Sequence, residues 1–181
     1  MLTFITGGIK SGKSVFGEKL AALNDKDVYY LATAVCTDNE MAKRIAVHRE
    51  RRPLKWKTIE ESYDLQEAFK NLPEKPAVIL VDCLTTYISN KLWRDYPEVF
   101  SSNEDLPKDS TILSEMQLLA QELSQSKHVF IVVSNEVGMC LIPTSKIGRT
   151  FCDLQGVTNQ IFAEYAQTAY LIVSGLEIKL K

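Results

Sequence analysis

The chain has 181 residues and a net charge of -2, from 21 basic and 23 acidic side chains. This length suits one domain with a sizeable core, and the charge balance excludes the basic excess typical of nucleic-acid or anionic-membrane binders. Hydrophobic residues at 45% and charged residues at 24% argue against disorder, a collagen repeat or a long coiled coil. We expect a cytoplasmic protein, because the N-terminus lacks signal-peptide zones and no apolar run approaches the roughly 18 residues of a membrane span.

Short apolar runs alternate with longer amphipathic stretches along the chain. The predicted strands are 2–6, 28–33, 77–83 and 129–135. The predicted helices are 13–23, 39–52, 61–71, 85–93, 110–126 and 153–167. Nearly continuous apolar strands are typical of parallel sheets covered on both faces, so the pattern predicts a single α/β domain over 1–181 with a mostly parallel central sheet. At the C-terminus, two strand-like runs separated only by Ser174 and Gly175 predict an antiparallel hairpin.

Two further features have structural interpretations. The segment from Arg94 to Ser110 contains two prolines, several serines and several acids, so we expect an exposed loop that is a solvated connection, a mobile flap or an oligomer contact. The four cysteines are widely spaced, with no Cys-x-x-Cys pair, which predicts free and mostly buried thiols rather than a zinc or redox site.

The first strand runs directly into a glycine-rich loop of the pattern G-x-x-x-x-G-K-[ST]. In such a loop, backbone N–H groups surround a phosphate at the start of a helix, Lys13 reaches the β- and γ-phosphates, and the Ser14 hydroxyl can bind Mg²⁺. The alternative is an ordinary glycine-rich turn, but the strand before the loop and the helix after it favour a nucleotide site. The predicted phosphate-binding residues are Gly7, Gly8, Ile9, Lys10, Ser11, Gly12, Lys13 and Ser14.

An acidic residue, Asp82, closes the apolar strand AVILVDC. A triphosphate site needs such an acid on its magnesium side, although an acid here could also cap the next helix. The following strand ends in Asn135, Glu136, Val137 and Gly138, without the Asn-Lys-x-Asp that reads guanine in signalling GTPases. Asn135, Glu136 and Gly138 lie where ligands bind in open α/β sheets, or they serve turn geometry alone.

The two histidines have different sequence surroundings. His128 is expected to be structural or to face solvent. His48 lies on a predicted helix with Arg44, Arg51 and Arg52 three or four residues away, and nearby positive charge would lower its pKa and keep it neutral. A neutral imidazole among arginines could attack a nucleotide phosphate, whereas the alternative is a basic helix face on which a histidine happens to lie.

Five segments together resemble a known enzyme family. They are TGGIKSGKS, ATAVCTDNEMAKRIAVHRERRPLKW, LVDCLTTYISN, SNEVGMCLIP and VSGLEIKLK. In content, order and spacing they look like the bifunctional adenosylcobinamide kinase/adenosylcobinamide-phosphate guanylyltransferases of cobalamin biosynthesis, and the resemblance runs essentially from end to end. It implies a RecA-like P-loop fold and a homotrimer.

The resemblance implies two transferase reactions. In the first, the γ-phosphate of a nucleoside triphosphate passes to the aminopropanol hydroxyl of adenosylcobinamide. The nucleotide of this step would be GTP, with ATP as the alternative. In the second, a nucleotidyl transfer, His48 attacks the α-phosphate of GTP, and GMP then passes to adenosylcobinamide phosphate to give adenosylcobinamide-GDP. Mg²⁺ would accompany the nucleotide, with Ser14 and Asp82 as its ligands, and Lys13 and His48 would be the catalytic residues.

Further nucleotide-binding residues come from the same resemblance. They are Ala32, Thr33, Ala34, Arg51, Arg52, Pro53 and Glu60, with Glu61 as the alternative to Glu60 after a one-residue shift. Val47 stands where the family often has a second histidine, so any role of a neighbouring imidazole is absent or filled otherwise. Two other functions stay open at this point: a single-function P-loop small-molecule kinase with a structural His48, and a nucleotide-dependent interaction module without catalysis.

Overall fold

A computed structural model of the chain describes residues 1–101 and 111–181, apart from the side chains of Arg44 and Ser101. The strands are β1 Leu2–Gly7, β2 Val28–Ala32, β3 Lys57–Glu60, β4 Val78–Asp82, β5 Val129–Asn135, β6 Thr168–Val173 and β7 Leu176–Lys179. The helices are α1 Lys13–Ala22, α2 Asn39–Glu50, α3 Leu65–Lys70, α4 Leu84–Asp95, α5 Glu98–Ser101, α6 Ile112–Gln125 and α7 Lys146–Tyr165. No helix within these described ranges has the length and apolarity to cross a membrane.

The strands of the described residues form one seven-stranded sheet in the order β3-β2-β4-β5-β1-β6-β7. All neighbouring strands run parallel except β6 and β7, which pair antiparallel. The predicted α/β fold with a mostly parallel sheet and a C-terminal hairpin is therefore confirmed. The hairpin turn consists of Ser174 and Gly175 with φ of 53° and 81°, the left-handed pair that matches the twist of a two-residue hairpin.

Helices cover both faces of the sheet because the strand side chains alternate between two hydrophobic clusters. On β1, Ile5 packs with Leu80, Val133 and residues of α1 on one face. Phe4 packs on the opposite face with residues of α3, α4, α6 and α7. The domain therefore has three layers. Because the strands β1 to β6 run parallel, their carboxyl ends lie at one edge of the sheet.

Several predicted boundaries are wrong for local reasons. Strand β3 was not expected, since its four residues are mostly exposed and carry little apolar signal. The helix predicted at 61–71 begins only at Leu65, because the Asp64 carboxylate caps it by accepting the Glu67 N–H. The helix predicted at 153–167 begins at Lys146, after a Ser145 hydroxyl that accepts the Gly148 N–H. Polar residues and a glycine concealed that first part of α7.

The expectation of one exposed loop over 94–110 is wrong for its first part, because α4 continues to Asp95 and α5 follows. Stacking of the Trp93 and Phe100 rings, with centroids 3.8 Å apart, joins these two helices. The remainder of the loop, 102–110, lies outside the described residues.

The thiols and His128 show which polar groups the fold buries. All four cysteines are free, as predicted, but they are not mostly buried: Cys83 and Cys152 are half-buried, and Cys36 and Cys140 are exposed because they lie in loops. His128 is buried and structural, since its Nδ1 accepts the Ala77 N–H at 3.2 Å.

Candidate active site

The sheet register brings the sequence-predicted site residues to one edge. Ala32, the last residue of β2, pairs with Glu60 of β3 on one side and with Asp82 of β4 on the other. Gly7, where the phosphate loop begins, pairs with Asn135 at the end of β5. Residues far apart in the chain therefore share the carboxyl edge, where open α/β sheets bind their ligands.

The phosphate loop is supported by the C-terminal hairpin. Gly12 has a φ of 100°, in the left-handed region, and a Cβ at this position would lie 3.2 Å from the Cα of Gly175. The Gly175 N–H donates to the Ser11 carbonyl at 2.8 Å. Glycine at position 12 is thus required both by backbone conformation and by the close approach of the hairpin.

Lys13 begins α1 and is buried beneath the loop. Its Nζ donates to the Gly8 carbonyl at 3.1 Å, which folds the side chain back over the phosphate loop. Burial lowers the pKa of Lys13, although the nearby Cys83 and Asp82 act in the opposite direction. A cation held in this position matches the phosphate-binding lysine that the motif predicts.

Asp82 connects the phosphate loop to the histidine. Its Oδ2 accepts the Tyr30 hydroxyl at 2.5 Å and lies 3.8 Å from His48 Nδ1. The carboxylate is only 11% exposed. It does not cap the following helix, because the N-cap residue of α4 is Cys83 and no side-chain capping bond is present there. Burial, and then the charge of Asp82, raises the pKa of Tyr30, so its hydroxyl remains a donor.

His48 is half-buried between acidic and basic groups. The Nη2 of Arg51 lies 3.5 Å from its Nδ1, and the same guanidinium pairs with Glu18 of α1 at 3.0 Å. Burial is the largest cause lowering the pKa of His48, and Arg51 and Arg52 lower it further, against the opposite effect of Asp82 and Glu18. The predicted direction is confirmed, but the main cause is desolvation rather than the arginines.

The charge of Arg51 should be visible in the titration of His48. In an Arg51→Gln variant we expect the pKa of His48 to rise, because a positive charge that disfavours the imidazolium is removed, so protonation begins at higher pH. NMR titration of the imidazole C–H signals measures this, with His128 as internal reference. Lys43→Gln, the same charge loss at an exposed position of α2, should leave the titration unchanged. An unchanged or lowered pKa of His48 in Arg51→Gln would contradict this effect of the Arg51 charge.

Helix α2 is held to the domain by ion pairs rather than by a core. None of its described side chains is buried, and Arg49 pairs with Glu60 at the end of β3. Glu60 and Glu61 were the alternatives for one nucleotide-binding position. The Glu60 carboxylate is 61% exposed and lies beside α2. Glu61 instead accepts the N–H groups of Tyr63 and Asp64 in a turn. The Arg44 side chain, predicted to share the face of His48, lies outside the described part of the chain.

The remaining predicted nucleotide-binding residues differ in accessibility. Thr33 is fully buried, and its hydroxyl bridges to the Cys83 backbone, accepting the N–H at 2.9 Å and donating to the carbonyl at 2.8 Å. The Arg52 guanidinium lies over the Tyr30 ring, 3.3 Å from its centroid. The Arg52 Nε and Trp56 Nε1 are buried and have no hydrogen-bond partner among the described residues. Pro53 begins the turn that leads to Trp56.

Three residues of the site were missed by sequence reasoning. Tyr30 carried a signal, because a tyrosine hydroxyl inside an apolar strand must find a partner. Glu18 and Gly175 carried no such signal, since an acid within a helix and a glycine in a hairpin turn have ordinary local explanations. Their roles arise only from contacts with Arg51 and Gly12.

Two solved structures have a similar fold at low sequence identity. A Pyrococcus horikoshii OT3 protein superposes with a TM-score of 0.59 at 9% identity, covering 99% of this chain and 85% of that one. A type III secretion system ATPase of pathogenic bacteria superposes with a TM-score of 0.54 at 12% identity, covering 98% of this chain and 56% of the ATPase. The fold is thus one that P-loop ATPases use.

Sequence comparison gives a nearer relationship. The "Bifunctional adenosylcobalamin biosynthesis protein CobP" of Pseudomonas aeruginosa is 36% identical over 181 residues, covering 100% of this chain and 98% of that protein. The corresponding CobU protein of Escherichia coli K12 is 36% identical over 183 residues, with all of both chains covered. The pattern of the family described as "Cobinamide kinase / cobinamide phosphate guanyltransferase" matches residues 3–180. The chain therefore belongs to this enzyme family, as the resemblance of its five sequence segments predicted.

Proposed function

We propose that this protein phosphorylates adenosylcobinamide with a nucleoside triphosphate and then transfers GMP from GTP to adenosylcobinamide phosphate, giving adenosylcobinamide-GDP. Family membership supports the two activities. The observation that carries the second activity is the position of His48, whose Nδ1 lies 3.8 Å from Asp82 beside the phosphate loop. The implied homotrimer and cytoplasmic location are part of the same proposal.

The kinase step uses the phosphate loop. Backbone N–H groups of residues 7–14 and the Lys13 ammonium surround the triphosphate and balance its charge. The substrate hydroxyl oxygen bonds to the γ-phosphorus as the bridging P–O bond to the β-phosphate breaks. The nucleoside diphosphate leaves with that electron pair, and the hydroxyl proton passes to water. Catalysis here consists of positioning and charge stabilisation.

The guanylyl step uses His48 as a nucleophile. A hydrogen on Nδ1 directed at Asp82 would leave the Nε2 lone pair free to attack the α-phosphorus of GTP. The Nε2–P bond forms as the bond to the α,β-bridging oxygen breaks, and pyrophosphate leaves with the electron pair. A phosphate oxygen of adenosylcobinamide phosphate then attacks the same phosphorus, and the P–N bond breaks to restore the imidazole.

The residues present fit a magnesium ion. Ser14 lies half-buried at the start of α1, and the Oδ1 of Asp82 stays available while Oδ2 accepts the Tyr30 hydroxyl. Within the described residues, no group of three or more His, Cys, Asp or Glu side chains could hold a metal by itself. One carboxylate and one hydroxyl with substrate phosphates suit Mg²⁺, which neutralises phosphate charge when bound.

Recognition of the guanine nucleotide is proposed for the carboxyl ends of β2 and β3. Exposed Glu60 and the main chain of Ala32 to Ala34 line this side of the edge. The Arg52 guanidinium, which lies over the Tyr30 ring, adds positive charge on this side. Because Thr33 already uses its hydroxyl within the protein, we expect it to act through its backbone or by shaping the loop.

The test is covalent labelling. Purified protein is incubated with Mg²⁺ and GTP labelled in the α-phosphate, denatured, and analysed by peptide mapping. We expect label on His48 that is lost in acid and kept in alkali, as a phosphoramidate behaves, and none from GTP labelled in the γ-phosphate. Protein that binds GTP but takes up no α-label would contradict the guanylyl step and favour the single-function kinase.

A further inference from the structure

The carboxyl end of β5 carries a residue that the steps above do not use. Asn135 pairs in register with Gly7, and the next N–H, that of Glu136, donates to the Gly7 carbonyl at 2.9 Å. In the sheet, β5 lies between the phosphate-loop strand β1 and the Asp82 strand β4. Asn135 is therefore situated between the phosphate loop and the strand acid.

The alternation of β5 places the Asn135 side chain on the face covered by α1. A Cβ on Gly17 of α1 would contact Leu80 of β4 and Val133 of β5, so these two side chains face that helix. Asp82 and Asn135 each follow two residues later and share the face, since strand side chains alternate. Ser134 faces the other way, donating to Asn159 of α7 at 2.7 Å.

The Asn135 carboxamide lacks a protein partner. Within residues 1–101 and 111–181, no group forms a hydrogen bond with this half-buried side chain. The adjacent Glu136 does serve turn geometry, because its carboxylate accepts the Gly138 N–H at 2.8 Å. The backbone of Asn135 is bonded within the protein, whereas its carboxamide lies at the carboxyl edge where open α/β sheets bind ligands and is left to bond a group placed there.

A buried polar network holds the backbone of Asn135. Its N–H donates to the Thr85 hydroxyl at 2.7 Å, and its carbonyl accepts the Asn159 carboxamide at 2.9 Å. Gln155 in turn donates to Asn159 at 2.9 Å and to Ser134 at 2.8 Å. Thr85, Ser134, Gln155 and Asn159 are all buried. Each of the four side chains makes at least one of these hydrogen bonds, and together they hold the backbone of Asn135 in one position.

From these contacts we propose that the Asn135 carboxamide donates a hydrogen bond to the γ-phosphoryl group during its transfer. This role rests on the proposed kinase function. Negative charge on the phosphoryl oxygens is redistributed as the hydroxyl oxygen bonds to phosphorus and the bridging bond breaks, and a preorganised donor lowers the barrier. In the guanylyl step the γ-phosphate is not the reacting group, so the same hydrogen bond stabilises ground and transition states alike.

The two steps should therefore respond differently to Asn135→Ala. We expect the kinase kcat to fall about 100-fold, as for loss of one donor to a reacting oxygen. Guanylylation of His48 should keep its kcat within about threefold, with a higher KM for GTP. Asn135→Asp, which keeps the shape but loses the donor, should lose at least as much kinase activity. A melting temperature for each variant confirms folding.

Direct binding separates this inference from the proposed function. In Asn135→Ala the Kd for Mg²⁺–GTP should rise about tenfold, the equivalent of one hydrogen bond, while that for Mg²⁺–GDP stays unchanged. Equal weakening of both nucleotides, or unchanged binding of both, would overturn the γ-phosphate contact. Protein inactive toward adenosylcobinamide would overturn the proposed function, whereas the GTP-to-GDP comparison would still decide the role of Asn135.

The network supplies a second test through a residue that does not touch the nucleotide. Thr85→Val removes the bond to the Asn135 N–H, and we expect a kinase kcat about tenfold lower with guanylylation kcat preserved. Thr85→Ser, which keeps the hydroxyl, should have most of the wild-type kinase kcat. Equal loss in both steps would indicate a merely structural network and overturn positioning by Thr85.

Discussion

Replacing His48 with alanine should reduce guanylyl transfer at least about 1,000-fold while leaving phosphorylation of adenosylcobinamide within about threefold. The reason is chemical: alanine offers no lone pair to form the P–N bond, whereas the kinase step as proposed uses the phosphate loop and Lys13. The side chain is half-buried on a helix of which no described side chain is fully buried, so its loss should not unfold the domain. Separate assays of adenosylcobinamide phosphate and adenosylcobinamide-GDP measure the two steps.

A neighbouring substitution provides the control for that experiment. Val47 is 53% exposed on the same helix, and Val47→Ala should leave both activities unchanged. Equal loss of both activities in folded His48→Ala would contradict the division of labour between the histidine and the phosphate loop. Full guanylyl transfer by His48→Ala would exclude His48 as the nucleophile.

Replacing Lys13 with methionine should abolish both reactions, each by at least about 1,000-fold. Methionine keeps the apolar length of the side chain but removes the ammonium that is held against the Gly8 carbonyl at 3.1 Å. Because we propose that one phosphate loop serves both reactions, loss of this cation should affect transfer of the γ-phosphate and departure of pyrophosphate alike. Assays of both steps, with nucleotide binding measured separately, test this.

Lys19→Met is the matched control, since Lys19 is exposed on the same helix and should be dispensable. Guanylylation of His48 that persists in Lys13→Met while phosphorylation is lost would contradict a shared triphosphate site. It would instead place the GTP of the second step elsewhere on the chain. Compared with His48→Ala, the variants Lys13→Met and Lys19→Met show whether the two reactions share one nucleotide site.

The phosphate loop and the fold class were predictable because their signals are local. The loop binds phosphate through consecutive backbone groups, so its glycines, Lys13 and Ser14 can be identified from one short segment of sequence. Parallel strands such as β4 and β5 are nearly all apolar because both faces are covered. Strand β3 escaped prediction since an exposed edge strand needs no apolar pattern.

The surroundings of His48 were only partly predictable. The proximity of Arg51 to His48 was predictable from helical spacing, because residues three apart share a face of a helix. Asp82 and Glu18 were not, since they belong to β4 and α1 and meet the histidine only after folding. Burial, the main cause of its lowered pKa, is likewise a property of the assembled domain.

The α/β class, the phosphate loop, the acid at the end of β4 and the candidate histidine could be predicted before folding was considered, because each depends on residues near one another in the chain. The position of Asp82 between Tyr30 and His48, and of Asn135 on the same face of the sheet, became evident only in the folded chain. Strand order and register bring these distant residues to one edge. A single sequence specifies that packing but does not display it.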